Sequence, residues 1–166
     1  LFPEYPVAYN NPGNLLVAVG QLDEAMKDFD RALVLAPGYA AAYSNRANAE
    51  MKLGKPAVAI RDFTKAIELL PASAPPLSGR GLAYLATDKP HAAIRDFSRA
   101  VSADARFATA YRNRAEARMT IGLRDDAIED LSRAIAFDVN NTELYVVRGY
   151  AYLLNANTAS KFSINN

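Results

Sequence analysis

The 166-residue chain has no cysteine, no tryptophan and one histidine, His91. Without cysteine it cannot form a disulfide bond, a Cys-ligated zinc site or a thiol nucleophile. His91 follows Pro90 where a helix is expected to begin, so we expect it to face solvent. The sequence also lacks a glycine-rich phosphate loop and a Ser/His/Asp set. We therefore expect no catalytic residues, no metal site and no cofactor.

The chain also lacks a strong charge of either sign. It has 19 Lys and Arg residues against 18 Asp and Glu, which gives a formal net charge of +1. Binding to a phosphate backbone needs a basic face, so nucleic acid is not an expected partner. No apolar run reaches the ~18 residues that a membrane span requires. We expect a soluble protein, and the sequence leaves open whether it is cytoplasmic or periplasmic.

What the sequence does contain is a repeated five-letter word, AIRDF. It occurs at Ala59–Phe63 and again at Ala93–Phe97. Around it, the segments 24–37, 57–71, 92–105 and 126–139 align at the same interval. Two columns of alanine flank a column of bulky residues, and that bulky column is formed by Phe29, Phe63, Phe97 and Leu131. A catalytic motif would be needed only once, so the repetition indicates scaffold.

The other half of each unit is periodic as well. One column holds Tyr9, Tyr43, Leu77, Tyr111 and Tyr145, and a small-residue column follows four positions later. Each unit reads as two helices, because apolar and small residues recur at helical spacing between Ala59 and Ile67. Gly54 is suited to end one helix, and Pro56 is suited to the first turn of the next. Pro71 cannot continue that second helix, so the unit ends there.

This pattern resembles the tetratricopeptide repeat, in which an aromatic residue, a small residue, then Ala, Phe and Pro recur in a 34-residue period. The resemblance implies an all-α fold, a right-handed α-α superhelix (solenoid) of helical hairpins. Its concave groove would bind peptides or other proteins. The chain divides as one repeat domain (1–166), whose last part is a partial unit and a polar tail. The units span about 6–39, 40–73, 74–107 and 108–141, with the partial fifth at 142–155 and the tail at 156–166.

The fifth unit is expected to lack its second helix, because Lys161 stands where the column requires alanine. End units of repeat arrays need polar caps. Tyr150, Tyr152 and Leu153 are too apolar for an unassisted cap. We therefore expect that the chain is a piece of a longer protein or that this end meets another chain. Self-association through the C-terminal repeat is one form of the second alternative.

Two charged columns also follow the period. They are Asp28, Asp62, Asp96 and Asp130, and Arg46, Arg80, Arg114 and Arg148. An anion-binding ladder of arginines is one interpretation. We favour ion pairs between stacked helices, with each Asp bound to the Arg of the next unit, so that Asp28 pairs with Arg46 and Asp62 with Arg80. In the first unit Pro12 replaces the arginine. Since proline disfavours helix at the preceding residue, the first helix is expected to start late, near Asn11-Pro12, or to be kinked there.

The family resemblance places ligand contacts along the inner helix of each unit. Asparagine amides there could hold a peptide backbone, since they offer a donor and an acceptor. Leucine and methionine could accept apolar side chains, although Leu82 and Leu85 are equally expected to pack against neighbouring helices. The candidate binding residues are Asn10, Asn11, Asn14, Asn45, Asn48, Met51, Lys52, Leu82, Leu85, Arg112, Asn113, Glu116 and Met119.

The sequence therefore predicts a non-catalytic interaction module that binds a peptide or a partner helix in its groove. An acidic C-terminal tail is not the expected ligand, because no triplet of units has the Lys and Arg residues of carboxylate-clamp repeats. One alternative is a substrate-selecting arm of a larger enzyme, for example a glycosyltransferase. The asparagines along this groove resemble the asparagine ladders on the tetratricopeptide grooves of such arms. Self-association is another.

Overall fold

The computed structural model describes residues 5–164, with side chains described as far as residue 156. Within that range the chain forms nine α-helices and no strand, so the all-α prediction is confirmed. No helix in this range is both long enough and apolar enough to cross a membrane. The helices are α1 (Pro6–Ala18), α2 (Leu22–Leu35), α3 (Ala40–Lys52), α4 (Pro56–Leu69), α5 (Ala74–Ala86), α6 (Pro90–Ala103), α7 (Ala108–Thr120), α8 (Arg124–Phe137) and α9 (Thr142–Ile164).

The helices stack in two layers. α1 to α8 form four hairpins, and the second helix of each hairpin also packs against the next odd-numbered helix. The odd-numbered helices α1, α3, α5 and α7 contact one another in succession. They therefore form a continuous inner layer, and the even-numbered helices cover it from outside. Contacts run only between neighbours, which is the architecture of a solenoid.

The turns inside the hairpins depend on left-handed backbone conformations. Gly20, Gly54 and Gly122 have φ of 82°, 70° and 80°. Glycine adopts this region without the penalty that a Cβ atom brings. At the equivalent turn between α5 and α6, Asp88 has φ 56°. The short polar side chain of Asp is among the few that tolerate this conformation.

The bulky column forms the centre of each hairpin. Phe29, Phe63, Phe97 and Leu131 are fully buried on the even-numbered helices. The phenyl rings reach the facing helix where it carries a small residue. A Cβ atom added at Gly13 would lie 2.6 Å from Phe29, and one at Gly81 would lie 2.5 Å from Phe97. The ring and the small residue are thus complementary, and neither can be enlarged alone.

We predict that Phe63→Ala lowers the free energy of unfolding by about 3–5 kcal/mol, because the ring is fully buried and its loss leaves a cavity. Urea denaturation measures the change. Val34→Ala, which truncates a side chain that is 71% exposed, is the matched control and should change stability by less than about 0.5 kcal/mol. A loss below about 1 kcal/mol for Phe63→Ala would contradict the proposed core.

The Asp and Arg columns do pair, but the predicted pairing with the next unit is wrong. Arg46, Arg80 and Arg114 each bind the aspartate on the second helix of their own hairpin. Nε and Nη2 of Arg80 donate to the two carboxylate oxygens of Asp96 at 2.6 and 2.9 Å. Arg46 binds Asp62 in the same two-pronged way. Such bidentate geometry is the strong form of the interaction, and it raises the pKa of Arg80 above its ordinary value. Arg114 and Asp130 form the third pair of this kind.

The remaining guanidinium nitrogen reaches the preceding hairpin. Nη1 of Arg80 donates to the hydroxyl of Thr64 at 2.9 Å, and Nη1 of Arg46 contacts Asp30 at 2.6 Å. Arg114 and Arg148 use Nη1 in the same way on Ser98 and Ser132, at 3.1 and 3.2 Å. Arg46, Arg80 and Arg114 each therefore join three helices: their own, its hairpin partner and the second helix of the previous hairpin. The inter-repeat link that the sequence suggested exists, but through a different acceptor.

We predict that Arg80→Met lowers the free energy of unfolding by about 3 kcal/mol, because it leaves the buried carboxylate of Asp96 without its bidentate partner. The loss should lie at the low end of the range for broken buried pairs, since Arg99 is 3.7 Å from Asp96. Urea denaturation of Arg80→Met, Asp96→Leu and the double variant measures the coupling. The double variant should be more stable than Arg80→Met. Arg95→Met, at an exposed position, is the control, and strictly additive losses would contradict the pairing.

Of the two alternatives for the first helix, the late start is wrong, because α1 begins at Pro6 and includes Pro12. A kink at Pro12 stays a prediction. A proline inside a helix costs about 3 kcal/mol. The residues around it are held by packing: Asn10 and Gly13 are buried, and Tyr9 packs on the cluster that contains Ala32 and Leu33. These contacts offset the cost of the proline. With Pro12 in the arginine position, Asp28 has no ion-pair partner among the described residues.

The last helix is longer than the sequence suggested. α9 continues to Ile164 rather than ending near residue 155, so the segment predicted as a polar tail is helical backbone as far as Ile164. It packs on α8 through Leu144 and Ala151, which are buried. The side chains from residue 157 onward, Lys161 among them, lie outside the described residues. Several apolar side chains of α9 remain exposed, among them Tyr145, Tyr152 and Leu153.

Candidate functional site

All the candidate binding residues lie on the inner layer, but they differ in accessibility. Asn11, Asn14 and Asn48 are exposed, and a ligand can reach their amides from solvent. Asn10 is only 4% exposed and Asn113 only 3%. These two cannot contact a ligand on the surface of the structure as it stands. The period placed both groups on inner helices, but it did not distinguish the outward side of a helix from the side that meets its neighbour.

Asn10 and Asn45 form a contact between α1 and α3. The amide nitrogen of Asn45 donates to the side-chain oxygen of Asn10 at 2.9 Å. The amide nitrogen of Asn10 in turn lies 3.5 Å from the side-chain oxygen of Asn11. Asn10 therefore acts as scaffold, and it fixes the orientation of the half-buried Asn45. The Nδ2 atom of Asn113 is buried without a hydrogen-bond partner in the described part of the protein.

The apolar candidates also divide. Leu85 is half-buried and packs on the cluster of Ala93, Phe97 and Ala117. Met51 and Met119 pack on the clusters of their own hairpins in the same way. Leu82 is 38% exposed. Of the two leucines for which both interpretations were open, Leu85 thus packs inside and Leu82 is accessible.

Three charged candidates, on α3 and α7, are at least partly accessible to solvent. Lys52 at the end of α3 and Glu116 on α7 are exposed. Arg112 donates to Glu143 of α9 at 2.5 Å, which links α7 to the last helix. Both partners are more than one third exposed, so the pair contributes little to stability. Its effect on this surface is to neutralise the charge of Arg112.

A cleft opens beside Asn45, where the first turns of α3 and α5 meet the end of α4. Its volume is about 240 Å³. Ala40, Ala41, Ser44 and Asn45 line one side of it, and Ser73, Pro75 and Pro76 line the other, with Ala66 and Leu70 between them. Most of these side chains are small, which leaves room for a guest side chain. Most of this cleft could not be predicted from the sequence, because columns of alanine and serine are typical of residues that pack between helices.

The same cleft recurs at other joints of the array with different linings. One repeat earlier, Pro6, Val7, Ala36 and Tyr39 surround a cavity of about 280 Å³. Two repeats later the cavity shrinks to about 100 Å³, and its lining turns polar with Arg112, Asp138, Asn141 and Glu143. At the joint between α5 and α7, the partly buried Phe107 stands where the α3–α5 cleft has Ser73. Among these three equivalent clefts, the two with mainly apolar linings lie in the first half of the array.

One buried acid lies next to this surface. Glu50 on α3 is 6% exposed, and its Oε2 atom has no hydrogen-bond partner in the described part of the protein. Burial and, to a smaller extent, the charge of Asp62 raise the pKa of Glu50 to about 7, against the opposing effect of Arg46 and Lys55. Near neutral pH, this carboxyl group is therefore part protonated. A buried carboxylate without partners is costly, and protonation removes most of that cost.

The raised pKa of Glu50 makes the stability of the fold depend on pH. The folded state holds this proton between pH 4.5 and about 7 whereas the unfolded chain releases it, so the free energy of unfolding falls as pH rises through that window. We predict that Glu50→Gln stabilises the protein by roughly 1–3 kcal/mol at pH 8 and has little effect at pH 4.5. Urea denaturation at both pH values measures it. Glu116→Gln, at an exposed position, is the control; an equal effect of Glu50→Gln at the two pH values would contradict the assignment.

Comparison with known proteins identifies the family. A model described as "TPR repeat" matches residues 13–54, and models described as "Tetratricopeptide repeat" match residues 40–73 and 79–155. The chain belongs to the tetratricopeptide repeat family. No curated protein sequence matches it.

Solved structures agree with this fold. The crystal structure of MamA protein superposes with a TM-score of 0.81 at 24% identity, over 95% of this chain and 87% of that one. YrrB, described as "a TPR protein with an unusual peptide-binding site", gives 0.75 at 23% identity, over 93% and 79%. The first TPR of Spaghetti (RPAP3), bound to the HSP90 peptide SRMEEVD, gives 0.69 at 26% identity, over 70% and 95%. The first two likenesses show the fold alone.

Proposed function

We propose that this chain is a non-catalytic protein-interaction module that binds an extended peptide along the inner face of α1, α3 and α5. Membership in the tetratricopeptide repeat family supports an interaction role. The first TPR of Spaghetti (RPAP3), a similar structure, was solved with a bound HSP90 peptide, which supports a peptide as the ligand. The partner is a peptide segment of another protein.

The α3–α5 cleft carries the proposal. It is large enough for one apolar side chain, and it opens directly beside Asn45. The exposed amides of Asn11, Asn14 and Asn48 lie on the same two inner helices, α1 and α3. Each amide can donate to one backbone carbonyl and accept from one backbone N–H. The ligand would thus be held by its backbone at the asparagines and selected by one side chain in the cleft.

The charge of the surface argues against an acidic tail as the ligand. Carboxylate binding needs free Lys or Arg side chains at the groove. Among the candidate residues on inner helices, Arg112 is paired with Glu143 and Lys52 lies at the end of α3. Asparagine, serine and leucine side chains occupy the central positions. We expect a ligand with an apolar anchor residue and little net charge.

Peptide binding can be tested by selecting ligands from a random peptide library on the full chain and measuring Kd by fluorescence anisotropy. Ala41→Trp fills the α3–α5 cleft at an exposed lining position, and we predict that it weakens binding by about tenfold or more. Thr109→Trp is the matched control, because Thr109 is the equivalent residue of the cleft between α7 and α9. It should leave Kd unchanged.

Two further outcomes would bear on the ligand itself. Selected peptides should share an apolar residue, and its replacement by alanine should reduce affinity as much as Ala41→Trp does. A peptide that ends in Glu-Glu-Val-Asp should not compete. Unchanged binding to Ala41→Trp, or tight binding of the acidic peptide, would contradict the proposed site.

A further inference from the structure

In three of the four hairpins, α3–α4, α5–α6 and α7–α8, two consecutive residues of one helix contact two consecutive residues of the other. The odd-numbered helix presents an arginine followed by a small residue, and the even-numbered helix presents an aspartate followed by a bulky residue. The arginine holds the aspartate in two hydrogen bonds, and the bulky side chain packs at the small residue. The matched pairs are Arg46-Ala47 with Asp62-Phe63, Arg80-Gly81 with Asp96-Phe97, and Arg114-Ala115 with Asp130-Leu131.

The last helix, α9, carries the arginine and the small residue of this arrangement without a described helix that supplies the aspartate and the bulky residue. Arg148 and Gly149 of α9 occupy the arginine and small-residue positions. Nη1 of Arg148 already donates to Ser132 of the preceding hairpin, and the guanidinium lies 5.7 Å from the ring centroid of Tyr145. Arg114 has the same two contacts, with Ser98 and Tyr111. Two of the contacts that hold Arg114 thus also hold the guanidinium of Arg148, yet no described carboxylate binds its Nε and Nη2 atoms.

The residues around Arg148 are exposed to solvent where their equivalents in earlier hairpins are covered by the second helix. Tyr145 is 44% exposed, whereas its equivalents Tyr111 and Leu77 are 5% and 1% exposed. Tyr152 and Leu153 are 54% and 65% exposed. A Cβ atom added at Gly149 would meet nothing within 4 Å, in contrast to Gly13 and Gly81, which face phenyl rings. We define Tyr145, Arg148, Gly149, Tyr152 and Leu153 as the α9 face.

We propose that the α9 face binds an amphipathic helix of a partner protein that carries an aspartate followed by phenylalanine or leucine. The aspartate would occupy the Nε and Nη2 positions of Arg148, and the bulky residue would pack on Gly149. Tyr145 and Tyr152 would flank it. This surface lies at the end of the array and is distinct from the α3–α5 cleft, so the two binding events are independent.

A helix of a different protein fits the α9 face better than a second copy of this chain does. The aspartates that precede a bulky residue at Asp62, Asp96 and Asp130 are already bound by arginines inside the molecule. Asp28 lacks its arginine, but Phe29 beside it is fully buried against Gly13. A second copy could therefore offer this dipeptide only by opening one of its own hairpins.

The test uses a synthetic peptide with the sequence of residues 90–103, which is helical as α6 in the protein. Because isolated helices of this length are marginal in water, a side-chain staple links the positions of Arg95 and Arg99, which are exposed in α6. Isothermal titration of the full chain with this peptide should show one site. Arg148→Met, and separately Asp96→Asn in the peptide, should each weaken binding about tenfold or more. The combined change should lose less than the sum of the two.

Arg61→Met, at an exposed position of α4, is the matched control and should bind the peptide as the unaltered chain does. Circular dichroism and the melting temperature check that Arg148→Met remains folded. Ala41→Trp should leave this binding intact, which separates the α9 face from the proposed peptide site. Equal binding by Arg148→Met, or no binding at all, would overturn the proposal. So would a dimer, seen by light scattering without peptide, that Arg148→Met dissociates, because it would assign the α9 face to a second copy.

Discussion

The array depends on one arginine at each internal joint. Its guanidinium has three donor directions in one plane, so it can bind two groups on different helices at defined angles. Nε and Nη2 hold the aspartate of the paired helix, and Nη1 holds the helix before it, as in Arg80 with Asp96 and Thr64. Hydrophobic burial supplies most of the stability, but it is not directional. The arginine adds direction, because its planar fork binds the paired helix and the preceding hairpin at defined angles.

The same interaction explains how the two ends differ from the middle. At the N-terminal end Pro12 replaces the arginine, and α1 is held instead by Gly13 against Phe29 and by the hydrogen bond between Asn10 and Asn45. At the other end Arg148 is present, but no described aspartate completes its match. The inner helices between these ends are free to vary where they face the groove. Binding residues and joint residues are therefore largely separate sets, and a change in ligand specificity need not disturb the stack.

Much of this structure could be predicted from the sequence, because the repeat period assigns each residue to a column and each column to a role. The register of the ion pairs could not. Each arginine lies about midway in the sequence between two aspartates, as Arg80 lies between Asp62 and Asp96, so the pattern fits both pairings. The period likewise placed Asn10, Asn45 and Asn113 on inner helices. It did not predict which side of the helix each side chain would occupy. The α3–α5 cleft is formed by small residues on three helices, so no motif in a continuous stretch of sequence predicts it.

The central claim, that one arginine fork fixes each joint, can be tested most directly by NMR of the arginine side chains. Nε of Arg46, Arg80 and Arg114 donates to a carboxylate, whereas Nε of Arg148 has no described carboxylate acceptor. The account predicts three slowly exchanging, downfield-shifted Hε signals from the first three residues and fast exchange at Arg148. Fast exchange at all four, or equal protection of Arg148 in the isolated chain, would contradict it.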